Sequence, residues 1–180
     1  GKGRRIWWGW VNEGSGRGQD AGWSSALSLP RILTLRDDGL LNIDPVPELN
    51  SLRATRHAVE KLTVTESSPL LLNDMKGDCT EIVAEIDPGT ATQVGIRVRS
   101  TSDGSEQTLI GYDSTDKMLF SDTTKSMANQ PAGRSGRGAG GGRGGSGNRR
   151  GNLILAEKEP LRLHIFIDAS VIETFANSRT

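Results

Sequence analysis

The feature that most narrows the fold is a rhythm of punctuation. From about residue 58 onward, short runs rich in β-branched residues recur, after one longer first gap, about every ten to fourteen residues, with turns containing Asp or Gly between them. Ala58–Thr65, Cys79–Ile86, Thr92–Arg99, Glu106–Tyr112 and Lys117–Phe120 are the expected strands, separated by NDMKGD, DPG, TSDG and DSTD. No stretch of about a dozen residues carries an apolar stripe at helical spacing, although Ser51–Glu60 has room for a turn or two. Antiparallel pairing with short connections, and hence an all-β sandwich, is the expected class.

The clearest local signal lies near the C-terminus. Arg162–Ile167, the turn Asp168-Ala-Ser170 and Val171–Phe175 read as a hairpin, with Leu163, Ile165 and Ile167 on one face and Arg162, His164 and Phe166 on the other. His164 reads as the polar member of a strand pair. Glu173 shares a face with Val171 and Phe175, which is read as the inward face. A carboxylate there must be paired, protonated or at a rim, and Arg162 or Arg99 are the expected partners.

The N-terminal part obeys the same alternation with a different texture. RRIWWGWV (4–11) reads as a strand in which Gly9 marks a bulge or a close backbone approach. A Gly-rich loop (12–22) precedes a second strand, Trp23–Leu29. Ile32–Leu35 and Leu40–Ile43 follow around the turn Arg36-Asp-Asp-Gly39. Pro45 and Pro47 exclude a central strand or helix interior, so 44–57 is expected to be a linker between modules.

Charge is unevenly spread. The chain has 22 basic and 22 acidic residues. Residues 133–151, however, hold ten Gly and five Arg with no acid, leaving 17 basic against 22 acidic elsewhere. This tract resembles nucleic-acid-binding RGG segments, but it lacks interleaved aromatics. A disordered loop over 128–152 between two strands is therefore the favoured reading, and nucleic-acid binding is disfavoured. No apolar run is long enough to span a bilayer, and the first residues have no signal-peptide pattern.

Few groups offer chemistry. One cysteine, Cys79, excludes an internal disulfide and reads as a small buried apolar residue. With only His57 and His164 beside it, a metal site would rest on carboxylates, and neither metal nor cofactor is expected. Asp37 and Asp38 are adjacent in a turn, where their side chains diverge. No phosphate loop, dinucleotide fingerprint or nucleophile elbow occurs. The aromatic cluster Trp7, Trp8, Trp10 and Trp23 is the candidate binding or module-interface feature, because indole faces both stack on sugar rings and fill cores.

Four segments in order, RRIWWGWVNE (4–13), GWSSALSLPRILTLRDDGLL (22–41), PVPELNSLR (45–53) and LRLHIFIDASVIETFAN (161–177), resemble the C-terminal part of family 32 glycoside hydrolases. That family includes invertases, levanases and inulinases. The resemblance implies the end of the last blade of a five-bladed β-propeller over residues 1–43 and a C-terminal β-sandwich over 58–180. A family landmark of the form Leu-Asp-Arg-x-x-Ser-Gly has only a partial counterpart, Phe120-Ser-Asp-Thr-Thr-Lys-Ser126, without the Arg or the Gly.

The resemblance also implies what this chain lacks. The family nucleophile, transition-state stabiliser and acid/base lie in Asn-Asp-Pro, Arg-Asp-Pro and Glu-Cys motifs of earlier blades. Here Ile43 precedes Asp44-Pro45, Ile86 precedes Asp87-Pro88, and Thr80 follows Cys79. No catalytic residue is carried over, and the chain alone is expected to be inactive, because retaining hydrolysis needs both carboxylates. The expected partners are the missing N-terminal propeller of the same protein and, in the full enzyme, a fructose-containing carbohydrate. The competing expectation is a stand-alone carbohydrate-binding or structural sandwich.

Overall fold

A computed structural model describes residues 3–11, 25–60, 62–67, 70, 72, 75–126 and 149–180. Its elements, in chain order, are strands β1 (Arg5–Trp7), β2 (Trp10–Val11), β3 (Ala26–Leu27), β4 (Arg31–Leu35) and β5 (Leu41–Pro45), then a 3-10 helix (Pro47–Leu52). There follow β6 (Cys79–Ile86), β7 (Gln93–Val98), β8 (Thr108–Asp113), β9 (Met118–Asp122), β10 (Arg149–Asn152), β11 (Leu161–Asp168) and β12 (Val171–Ala176).

Among the described residues, the paired strands run antiparallel and fall into four sheets: β10-β9-β8-β7, β12-β11-β6, β1-β4-β5 and the two-stranded β2-β3. The first two pack face to face as a sandwich. Val98, Ile110 and Tyr112 from one sheet meet Leu161, Leu163, Ile165 and Ile167 from the other, and Leu153 and Ala176 close the cluster. Burial of a large aliphatic side chain of this kind contributes about 2 kcal/mol, so this cluster is the main source of cohesion.

The hairpin β11–β12 carries the alternation expected of it. Leu163, Ile165 and Ile167 are buried in the sandwich core, whereas Arg162, His164 and Phe166 face the opposite side. Strands β8 and β9 depart from simple alternation at Gly111. The ring of Phe120, its cross-strand partner, lies where a side chain would stand: a Cβ on Gly111 would come within 2.6 Å of it. The ring thereby covers backbone that glycine leaves bare.

Several expectations are corrected. The run 4–11 is two strands, because the chain breaks pairing at Trp8–Gly9. There Gly9 N–H donates to Ser28 Oγ at 2.7 Å, the close approach its lack of a side chain suggested. The strand expected over 23–29 is reduced to Ala26–Leu27, since Ser25 adopts a left-handed φ of 65°; Trp23 lies outside the described residues. Among its described residues, the strand expected over 58–65 is reduced to a single bridge position at Thr65; Val59, Leu62 and Val64 are about half exposed, and the three-residue step from Val59 to Leu62 breaks the period of two that a one-faced strand needs.

The turn of helix expected within 51–60 lies earlier, at Pro47–Leu52. Proline fits the first helical position, where its missing N–H costs nothing. That helix and the last residues of β5 occupy much of the stretch expected as a linker, 44–57. Within the Gly/Arg loop expected over 128–152, residues 149–152 instead form β10, whose edge position is held by pairing with β9 and by Arg150 Nη1 donating to Asp116 at 2.9 Å. Residues 127–148 of that tract lie outside the described residues.

Candidate functional site

The three-strand sheet β12-β11-β6 is used on both sides. Its inner face is the sandwich core. Its outer face presents Glu81 and Val83 from β6, Arg162, His164 and Phe166 from β11, and Glu173 and Phe175 from β12, as the register requires: Phe166 lies opposite both Glu81 and Glu173, and His164 opposite both Val83 and Phe175. A face with two carboxylates, a histidine and two phenylalanines is too polar for a sandwich core and too aromatic for a solvated surface. The N-terminal sheet and the residue after the 3-10 helix reach this face at Glu173 and Glu81, whereas Val83 on the same face stays 69% exposed.

Glu173 is the centre of that contact and is only 8% exposed. Its Oε1 accepts the Leu29 backbone N–H at 2.6 Å, and its Oε2 accepts Arg31 Nη2 at 2.6 Å. The expected partners, Arg162 and Arg99, are corrected to Arg31; Arg162 instead bonds Glu85 at 3.0 Å. The expectation that Glu173 faces inward is corrected too, because the inward positions of β12 are Ile172 and Thr174, opposite Ile167 and Ile165. The Arg31 guanidinium lies between two rings, 5.5 Å from the centroid of Trp7 and 5.2 Å from that of Phe175. Its Nε is buried and has no hydrogen-bond acceptor among the described residues.

A second anchor joins the end of the 3-10 helix to the same face. Arg53 donates from Nε and Nη2 to the two oxygens of Glu81, both at 2.6 Å, and His164 Nε2–H donates to Glu81 Oε1 at 2.6 Å. The bidentate guanidinium is the main reason the Glu81 carboxyl titrates below its ordinary range; desolvation opposes the shift and His164 adds to it. His164 stacks on Phe166 with centroids 4.5 Å apart, and Phe166 meets Phe175 edge-on at 6.1 Å. The third anchor is backbone only: Ile43 N–H donates to Ser178 O at 2.8 Å.

The tail carrying Ser178 is itself held in place. Asn177 and Ser178 adopt left-handed φ of 48° and 56°. Arg179 Nη2 and Asn177 Nδ2 both donate to Glu159 Oε1, at 2.6 and 3.0 Å. Burial works against the ionised Glu159, but these donors and the Ala156 N–H outweigh it and lower the pKa. Between the anchors runs an open groove of about 860 Å³, bordered by Asp38, Asp44, Val83, Arg162, His164 and Phe175.

The sequence-nominated aromatics divide. Trp7 sits beneath Arg31 and is 48% exposed, whereas Trp8 and Trp10 are 50% and 75% exposed. Trp23 lies outside the described residues. Cys79, expected to be buried, is exposed at the first position of β6, on the outer face opposite Asp168. Its thiol donates to Asp168 Oδ1 at 3.4 Å, which is the first cause of its raised pKa. No group of three or more His, Cys, Asp or Glu side chains able to hold a metal is present among the described residues. The junction itself escaped sequence reasoning apart from one signal, an acid placed among apolar neighbours in VIETF.

Comparison with known proteins fits this geometry. The sequence model described as "Glycosyl hydrolases family 32 C terminal" matches residues 48–180. The chain is 32% identical to the levanase of Bacillus subtilis (strain 168), over 97% of this chain and 25% of that protein. It is 27% identical to a sucrose-6-phosphate hydrolase of Zymomonas mobilis subsp. mobilis, over 96% of this chain and 30% of that one. Among solved structures, fructan 1-exohydrolase IIa from Cichorium intybus superposes with a TM-score of 0.75 at 19% identity, covering 98% of this chain and 38% of that chain. Exo-inulinase from Aspergillus awamori gives 0.68 at 21% identity, covering 97% and 33%. The chain thus spans about a quarter to a third of the length of the curated relatives it matches. With a double-faced C-terminal sheet, a family match over most of its length and the same fold in these enzymes, the chain belongs to the glycosyl hydrolases of family 32, through that family's C-terminal module.

Proposed function

We propose that this chain is the structural C-terminal part of an enzyme that hydrolyses β-fructosides, sucrose or fructans, and that it braces an N-terminal catalytic propeller without supplying catalytic carboxylates. The observation that carries the reading is Glu173. A sandwich strand spends a buried carboxylate on Leu29 and Arg31 of the N-terminal sheet, so the sandwich is built to hold that sheet. Two further observations support a larger body beyond it. Among the described residues, strand β1 lies at the edge of its sheet and β2-β3 is a two-stranded ribbon, too small to be stable alone. Beside these edges Trp7, Trp8 and Trp10 expose large apolar area suited to packing against the remainder of a propeller.

The chemistry of retaining hydrolysis needs two carboxylates about 5 Å apart across a substrate, one as nucleophile and one as acid/base. Glu173 and Glu81 are both neutralised by arginine at the module junction, which removes them from such roles. The test is to incubate the purified chain with sucrose, inulin and levan, following fructose release and binding. The expected result is no release and no saturable binding. Release of fructose would overturn the reading. Saturable fructan binding lost in Trp8→Ala or Trp10→Ala would favour a carbohydrate-binding module, the second reading, which the 75% exposure of Trp10 supports.

A further inference from the structure

We propose that Glu173 is a positioning residue: from the sandwich it sets the conformation of the Trp7–Trp10 run, and so fixes the aromatic face that the N-terminal sheet offers to the rest of the protein. This rests on the reading of the chain as a brace, and it identifies the group through which bracing is transmitted.

Two routes lead from the carboxylate to the tryptophans. The first is a backbone route. Glu173 Oε1 holds the Leu29 N–H; the neighbouring Ser28 is tied to Gly9 in both directions, its N–H donating to Gly9 O at 2.8 Å and its Oγ accepting Gly9 N–H at 2.7 Å. Gly9 lies between Trp8 and Trp10, so the break between β1 and β2 is pinned to the residue adjoining the one the carboxylate grips. Ser28 is 5% exposed, which shields these bonds from competing water. A Cβ at Gly9 would lie 3.4 Å from Ser28 Oγ, in ordinary contact, so the two hydrogen bonds and not crowding hold the approach.

The second is a side-chain route. Glu173 Oε2 holds Arg31 Nη2, and the Arg31 guanidinium carries the Trp7 ring on one side and Phe175 on the other. Phe175 is on the same strand and face as Glu173, so the sandwich supplies both the charge and the opposing ring. Arg31 also starts β4, paired in register with Trp7 of β1. One carboxylate therefore controls both ends of the aromatic run, Trp7 through a guanidinium and Gly9 through a serine.

The two routes respond differently to substitution. Glu173→Gln keeps a carbonyl oxygen for Leu29 N–H but presents an uncharged amide to Arg31, so it cuts mainly the side-chain route. Glu173→Ala cuts both. Arg31→Met removes the guanidinium while leaving the Leu29 contact in place.

The experiment uses the 180-residue chain and reads amide hydrogen exchange together with near-ultraviolet circular dichroism of the tryptophan bands, well below the unfolding transition. In Glu173→Ala, exchange at Gly9 and Leu29 should accelerate at least tenfold while that of Leu163–Ile167 is unchanged, and the tryptophan bands should lose intensity. Glu173→Gln and Arg31→Met should reproduce the loss of tryptophan signal with less than half the effect on exchange at Leu29. A merely stabilising role would lower the melting temperature without moving native-state tryptophan bands. Unchanged bands, or acceleration spread equally over Leu163–Ile167, would overturn the proposal. Fructose release by the chain would instead overturn the functional reading and leave the Glu173 result standing, so the two failures are distinguishable.

Discussion

The two faces of the β12-β11-β6 sheet share strands and register yet are held by different physics. On the inner face, Leu161, Leu163 and Ile165 are at most 1% exposed and meet the opposite sheet through non-directional apolar contact. On the outer face, cohesion rests on a few directional contacts: Glu173 with Leu29 and Arg31, Glu81 with Arg53 and His164, and Ile43 with Ser178. An apolar face tolerates small shifts in orientation, because burial depends on area rather than direction. An ion pair with bidentate or backbone geometry accepts one arrangement. The inner face therefore makes the sandwich stable, and the outer face specifies how a neighbouring sheet sits on it.

That contrast can be broken by substitution, starting with the largest effect. Ile165→Ala, at a position 0% exposed, should cost about 3 kcal/mol of global stability through lost burial and a residual cavity. Chemical denaturation would show a lower midpoint for both modules, and a loss under about 1 kcal/mol would mean the cluster is not the common source of stability. Glu173→Ala should cost about 3 kcal/mol of the local stability of the N-terminal sheet, by stranding Arg31 and the Leu29 N–H, and leave the sandwich core in place. Limited proteolysis should cut first within residues 25–45, whereas Ile165→Ala should expose sites throughout.

Acidification should separate the faces without substitution. The Glu81 pKa is lowered in the folded chain, so its pairing with Arg53 contributes fully above the ordinary carboxylate range and is lost as pH falls through the lowered value. As pH falls below the ordinary carboxylate range and through the lowered value, the junction at Arg53 should loosen, followed by amide exchange near residue 53, and Glu81→Gln should abolish that pH dependence. The inner face has no carboxylate in its core cluster and should hold over the same range. A smaller effect belongs to the β7–β8 turn, where Thr101 and Ser105 hold Asp103 at a pKa of about 2. Asp103→Asn should speed exchange at Ser105 and Glu106 at neutral pH and leave the melting temperature within about 2 °C. Smallest of all, Trp10→Ala should alter stability of this chain by no more than about 0.5 kcal/mol, since the ring is 75% exposed.

Much of the fold was legible locally. The Leu163–Ile165–Ile167 stripe, the hairpin turn after it and the Asp/Gly punctuation are short-range signals, and short-range signals survive translation into structure. The same reasoning failed at 58–65, where the step from Val59 to Leu62 breaks the period of two, and at Cys79, where burial depends on which face its strand turns outward and on how far the neighbouring sheet reaches. Of the candidate site, the sequence exposed one anomaly, Glu173 among apolar neighbours. It assigned the wrong face and the wrong arginine, because a strand's period of two defines two faces without labelling either.

What the sequence by itself determined is thus the class and its periodicity: an all-β chain with turn-bounded strands, an apolar stripe on the last hairpin and motifs of family 32. These follow from backbone geometry and turn chemistry acting over a few residues. Only the tertiary structure decided that the second face of that hairpin meets the N-terminal sheet, that Arg31 answers Glu173, and that Arg53 and His164 converge on Glu81. Arg31 and Glu173 stand 142 residues apart. No local preference links them, and their meeting depends on the pairing and packing of every sheet between.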